Sequence, residues 1–176
     1  MAAETQYYFS TGIALVGPVG EDLNEADHLV AAVQDLTVEI SYQKAEVNET
    51  PQQSLYPVAV GHHSGQARIR FTSESIDRRM YTAILNATGA DSGGAFTVTI
   101  NKKVKPQPQK IVIKGLDADD NPITFTLFKA RSMGITANTR LTGFGSVPLD
   151  FEGYPDPDEL DDNGVAKVME IEFGTA

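Results

Sequence analysis

The side chains best equipped for chemistry are three histidines, His28, His62 and His63, and two carboxylate runs, Asp117-Ala118-Asp119-Asp120-Asn121 and Asp156 to Asp162. Neighbouring residues of an extended chain point to opposite faces, so His62 and His63 cannot give two ligands to one ion from a strand. Ser64 stands beside them in Gly61-His62-His63-Ser64-Gly65, but the order is not the strained Gly-x-Ser-x-Gly elbow of a nucleophile, and a hairpin tip explains the stretch better. A hydrolase using His62 or His63 is therefore set aside. The first carboxylate run opens like a calcium loop, yet Pro122 stands where Gly is needed and Phe128 where a bidentate Glu is needed, which leaves a turn. In the second run Leu160 takes a ligand position, which leaves a solvated acidic loop. Gly143-Phe144-Gly145 lacks the third glycine and the helix of a dinucleotide fingerprint. Asn48-Glu49-Thr50 and Asn86-Ala87-Thr88 match glycan acceptors in form only. These residues predict no catalytic, cofactor or metal site, and no enzyme.

The elements that carry them are mostly strands. Leu36 to Gln43 alternates, with Leu36, Val38, Ile40 and Tyr42 inward and Thr37, Glu39 and Ser41 outward. Ser54 to Gly89 reads as a strand from Leu55 to His62, a turn at Ser64-Gly65, and a strand from Ala67 to Thr72. One amphipathic helix follows over about 76–87, with Ser75 as N-cap, Asp77 in the first turn and Gly89 as the stop. Tyr7 to Val16 is a further strand with Tyr7, Phe9, Ile13 and Leu15 in phase, ending at the turn signal Gly17-Pro18. Glu21 to Gln34 has Leu23, Ala26, Val30 and Val33 at helical spacing but reads as a loop. Strands also follow at Phe96 to Ile100, Lys110 to Leu116, Ile123 to Ala130, Ile135 to Thr142, Val147 to Phe151 and Lys167 to Phe173. Such regular spacing predicts a mainly β domain, a sandwich or barrel of two antiparallel sheets flanked by the helix at 76–87.

Length and charge bound the function. A chain of 176 residues suffices for one core, so 1–176 is read as a single domain, with a long polar inter-strand loop at 43–54. Such a loop joins strands that a tight turn could join, and so calls for a role. No run of about 18 apolar residues and no basic-then-apolar start occurs, which predicts a soluble chain without membrane insertion. The formal net charge of -10 argues against a duplex-DNA binder. Nine of the 24 acidic residues lie in Asp150 to Ala176 against one basic residue, Lys167, so the acidic segment at 150–164 is the anomaly in an otherwise balanced chain.

Three features together resemble the tail tube (major tail) proteins of long-tailed bacteriophages, a family related in fold to the inner tube of type VI secretion systems. They are Gly65-Gln66-Ala67-Arg68-Ile69-Arg70-Phe71 leading to Leu85-Asn86-Ala87-Thr88-Gly89, the polar excursion Lys44 to Gln53, and Leu141-Thr142-Gly143-Phe144 through Leu149-Asp150-Phe151-Glu152-Gly153-Tyr154. The resemblance implies a structural virion protein, made in the bacterial host cytoplasm and located in the tail. Six copies would close into a ring, and stacked rings would form the hollow tube through which genomic DNA passes without specific binding. It implies self-association and, as further partners, tape measure, tail terminator and baseplate proteins. Lys44, Glu46, Asn48, Glu49, Gln52 and Gln53 would then form an inter-ring or inter-subunit loop. By alternation Glu39, Arg68, Arg70, Glu170 and Glu172 are the candidates for the lumen, where negative potential would repel DNA phosphates. The competing expectation is a monomeric β-sandwich, a binding module or virion decoration protein, whose polar faces meet only solvent.

Overall fold

The computed structural model describes residues 12–47, 59–73, 88–92, 95–99, 107–117, 119–135 and 147–174. The strands are β1 (Gly12–Pro18), β2 (Leu29–Val47), β3 (Ala59–Ser73), β4 (Thr88–Ser92), β5 (Ala95–Thr99), β6 (Gln109–Leu116), β7 (Pro122–Ile135), β8 (Val147–Tyr154), β9 (Asp156–Leu160), β10 (Ala166–Lys167) and β11 (Met169–Phe173), with one short helix, α1 (Glu25–His28), between β1 and β2. The main sheet runs β11-β7-β6-β1-β2-β3-β8, and a further pairing of β7 with β8 closes six of its strands into an antiparallel barrel. Where β8 bridges β3 and β7, closure removes the open edges that a flat sheet would present. The expectation of a mainly β sandwich or barrel is thus met by the barrel.

Inward residues alternate as a half-buried strand requires. Ala67, Ile69 and Phe71 of β3, Val147, Leu149 and Phe151 of β8, Ile111 and Ile113 of β6, and Ile123, Phe125 and Leu127 of β7 fill the interior. On β1, Ala14, Leu15 and Val16 are all buried, so this strand is covered on both faces; of the expected residues Leu15 is buried and Ile13 half-buried. Phe71 stacks on Phe151 with ring centroids 6.0 Å apart.

Several local expectations change. Glu21 to Gln34 is not a loop throughout. Asn24 accepts a hydrogen bond from Asp27 N at 2.9 Å and caps α1, and β2 begins directly afterwards at Leu29. Gly17 and Pro18 lie within β1, and the turn follows at 19–20. Ser64-Gly65 is no hairpin turn. β3 runs straight through it, with Tyr42 opposite Gly65 and Gln43 opposite His63, so Ser64 is the extra residue of a β-bulge. Small residues serve a bulge as well as a turn, which is why the sequence misleads here. Correspondingly, 43–47 belong to β2 and not to a loop, pairing with 59–63 of β3. The helix expected at 76–87, the strand segments at 7–11 and 136–142, and the loop residues 48–54 lie outside the described residues.

The acidic segment is also ordered. Asp150 and Glu152 stand on β8, Asp156 is buried at 1% exposure, and β9 and β10 form a hairpin closed by Asp161. Asp161 Oδ1 accepts from Asn163 N at 2.9 Å and from Val165 N at 2.8 Å. Asp117 likewise turns the chain between β6 and β7, accepting from Asp119 N at 2.8 Å and Asn121 N at 2.9 Å. The donor from Asn121 and the donor from Val165 hold the respective carboxyls below their ordinary value of 3.8. A depressed folded value means that each turn contributes its stability above the ordinary carboxylate range and loses it as pH falls through the folded value. Wild-type protein is therefore expected to lose melting temperature as pH drops below about 4, where unfolded carboxylates begin to bind protons. Asp161→Ala should be less stable at pH 7 but show a flatter decline on acidification. An equally steep decline in the variant would contradict this role.

Candidate assembly surface

β2, β3, β8 and β7 lie side by side, and their outward residues form cross-strand rows. Glu39 faces Arg68, Arg68 faces Glu152, and Glu152 faces Arg131. In the next row Thr37 faces Arg70, which faces Asp150. Opposite charges directly across a sheet stabilise their strands, and here the signs alternate over the whole width. Arg68 grips Asp150 through both ends of its guanidinium, Nε donating to Oδ1 at 2.6 Å and Nη2 donating to Oδ2. That bond is the main reason the Arg68 guanidinium is held above its ordinary value. Arg70 reaches Glu39 at 3.4 Å and Asp150 at 3.5 Å. Tyr154 donates to Glu152 at 3.0 Å under the guanidinium of Arg131, 5.6 Å from its ring; burial, then Glu152, raises its phenol. Met133 is the extra residue of a bulge between Ser132 and Gly134 and projects from this field at 58% exposure.

Of the residues expected in a lumen, Glu39, Arg68 and Arg70 therefore share one patch. Glu170 and Glu172 do not join it. They are exposed on β11, opposite Thr126 and Thr124, and Glu170 accepts from Lys167 at 2.8 Å. Within the first patch Arg68, Arg70 and Arg131 balance Glu39, Asp150 and Glu152, so this face carries no net negative charge. Asp150, Glu152, Arg131 and Tyr154 were missed as members of the patch, although the alternation Val147, Leu149, Phe151 against Asp150 and Glu152 signals their outward direction.

Past Gln66, β3 has β2 as its one neighbour among the described strands, because β8 pairs with 67–73. The segments 43–47 and 59–63 thus form a two-stranded ribbon extending from the barrel. Lys44 lies opposite His62 and Glu46 opposite Val60 on this ribbon; Asn48, Glu49, Gln52 and Gln53 lie outside the described residues. His28 sits apart on α1, where its Nδ1 accepts from Asn24 N at 3.2 Å and its Nε2 lies 3.8 Å from Glu21.

No family model and no curated protein sequence matches the chain. Solved structures do. Over 99% of its length and 100% of the other chain, it is similar to the anti-feeding prophage cap, the AFP tube terminating cap, with a TM-score of 0.54 at 12% identity. The fold is that of tail-tube proteins. A chain from an extracellular contractile injection system, the PVC sheath-tube complex in the extended state, is similar to the same degree, with a TM-score of 0.54 at 12% identity over 98% of this chain and 95% of that one. In this chain the barrel interior is occupied by packed apolar side chains.

Proposed function

We propose that the chain is a tube-forming structural subunit of a phage tail or a related particle, acting by self-assembly and not by catalysis. The observation that carries this is the end-to-end similarity to a tube-terminating cap, which spans both chains rather than one shared motif. Copies join into hexameric rings, rings stack into a hollow tube, and the bore admits the particle's cargo, phage DNA in a tail. On this reading the whole of 1–176 acts as one tube domain, partnered by its own copies and, at the ends, by terminator, baseplate and tape measure proteins.

The projecting ribbon fits the inter-ring role better than a loop would, since five paired residues on β2 beyond Tyr42 add roughly 17 Å of reach at about 3.3 Å per residue. Lys44, Glu46, Asn48, Glu49, Gln52 and Gln53 are the residues we assign to contact with the next ring. Glu39, Arg68 and Arg70 would contribute a neutralised wall if they face the bore, and the negative potential that keeps DNA from sticking would then rest on Glu170 and Glu172.

Because one of the two matches is to a cap, a second reading is a ring that ends a tube rather than builds one. Negative-stain microscopy of the purified protein decides among these. Tubes of uniform bore support the tube subunit, isolated rings at every concentration support the terminal ring, and persistent monomers sink both in favour of a binding or decoration module. Replacing 44–62, the ribbon beyond the Gln43–His63 pair, by a short turn is expected to leave rings and abolish their stacking; tubes of unchanged length from that variant would remove the ribbon from the inter-ring contact.

A further inference from the structure

Two sets of strand edges are left open among the described residues. One flanks a groove of about 670 Å³ between the base of the ribbon and β10–β11, lined by Ile40, Gln66, Ala67, Val165, Val168 and Ile171 among others. β8 fills the space between β3 and β7 only as far as Gly153, opposite Ala67. Beyond it β11 takes over the pairing with β7, and β11 pairs with no second strand among the described residues. The open edge of β11 and the open edge of β3 therefore border the same groove. Ile40 shows the consequence. It has the inward phase of Val38 yet is 50% exposed, because the wall opposite it is incomplete.

The other open set is the β4–β5 hairpin, whose strands, among the described residues, pair with each other and with no strand of the barrel. A lone two-stranded hairpin is marginal in water and gains stability by joining a larger sheet.

We propose that the groove of one copy receives β5 of the neighbouring copy, adding it as a strand beside β11. This rests on the tube-forming reading and names the contact that joins subunits within a ring. Charge selects the partner. Glu170 and Glu172 are exposed on β11, so two β11 edges would repel one another. β5, Ala95-Phe96-Thr97-Val98-Thr99, has no charged residue, and the sequence following it carries Lys102, Lys103 and Lys105. Its β-branched and aromatic residues suit a sheet, whereas β4 contains Gly89 and Asp91, which do not. The contact joins unlike surfaces, so each copy keeps one edge to give and one to receive, and such head-to-tail contacts close into a ring when the rotation between copies closes.

The absence of Cys from the chain makes cross-linking a clean test. Thr97 and Thr99 on β5, and Glu170 and Glu172 on β11, are all exposed and accept a Cys with little disturbance. Mixing Thr97→Cys or Thr99→Cys protein with Glu170→Cys or Glu172→Cys protein under mild oxidation should give a disulfide dimer for at least one of the four combinations, and each single variant alone should give none. The corresponding double variant should give a ladder of covalent oligomers. In a separate arm, Glu170→Lys/Glu172→Lys should keep the wild-type far-UV spectrum and lose rings. Wild-type rings with none of the four cross-links, or with dimers from the single variants alone, overturn the pairing while the tube reading stands. Rings from the double Lys variant overturn it equally. Absence of rings from wild-type protein overturns the tube reading beneath it.

Discussion

Phe71→Ala is expected to lower the unfolding free energy by about 3–5 kcal/mol, the usual range for truncating a buried Phe. Phe71 is 2% exposed, and its ring stacks on Phe151 at an interplanar angle of 24°. It lies opposite Leu149 in the β3–β8 ladder, deep in the barrel. Loss depends on how far the surroundings can collapse into the space, and a barrel wall fixed by hydrogen bonds on every side collapses poorly. Phe71→Leu, which keeps most of the volume, should cost less than half as much. Urea unfolding followed by circular dichroism measures both. A Phe71→Ala loss below about 1 kcal/mol would show that the ring is not packed as described.

The second large effect is electrostatic. Asp156, at 1% exposure, has its Oδ1 3.8 Å from Lys129 Nζ and 3.4 Å from Asp158 N, while its Oδ2 has no hydrogen-bond partner. Lys129→Met keeps the length of the side chain but removes the cation, leaving a buried carboxylate without a counter-charge. Losing one partner of a fully buried pair costs about 3–5 kcal/mol; Lys129 is 32% exposed, so about 1–3 kcal/mol is expected here, whereas removing both charges costs far less. The single variant should be destabilised to that extent, and Lys129→Met/Asp156→Asn should recover most of the loss. A double variant no more stable than the single one would mean that Lys129 acts through packing of its stem and not through its charge.

The sequence made the barrel legible wherever one strand face is buried along its length. Ala67, Ile69 and Phe71 against Arg68, Arg70 and Thr72 is such a case, and so is Ile123, Phe125 and Leu127. It failed where a bulge changes the phase. Phe128 and Lys129 stand opposite Lys110 alone, after which Ala130 is inward, a shift that no local periodicity announces. The bulge at Asp35, with φ of 50°, is held by Thr72 Oγ1, which lies 3.2 Å from Gln34 O and 3.1 Å from Asp35 Oδ2, a partner from another strand. The charged patch was half legible for the same reason. Outward direction can be read from alternation, but Arg68 and Asp150 are 82 residues apart, and only strand order makes them neighbours. Asp156 was read as one of many solvated carboxylates, since nothing in its local composition separates it from Asp158 or Asp162.

The bulge at Ser64 has a mechanical consequence. β2 is one unbroken strand of 19 residues, so a pull on the ribbon travels along a covalent chain into the barrel wall, where the ladder to β3 is loaded in shear. The register shift between Tyr42 and Gln43 interrupts that ladder where the ribbon leaves the wall. If copies assemble as proposed, a docked neighbour would set the ribbon's angle at this break in the ladder, while the packed barrel below keeps its shape.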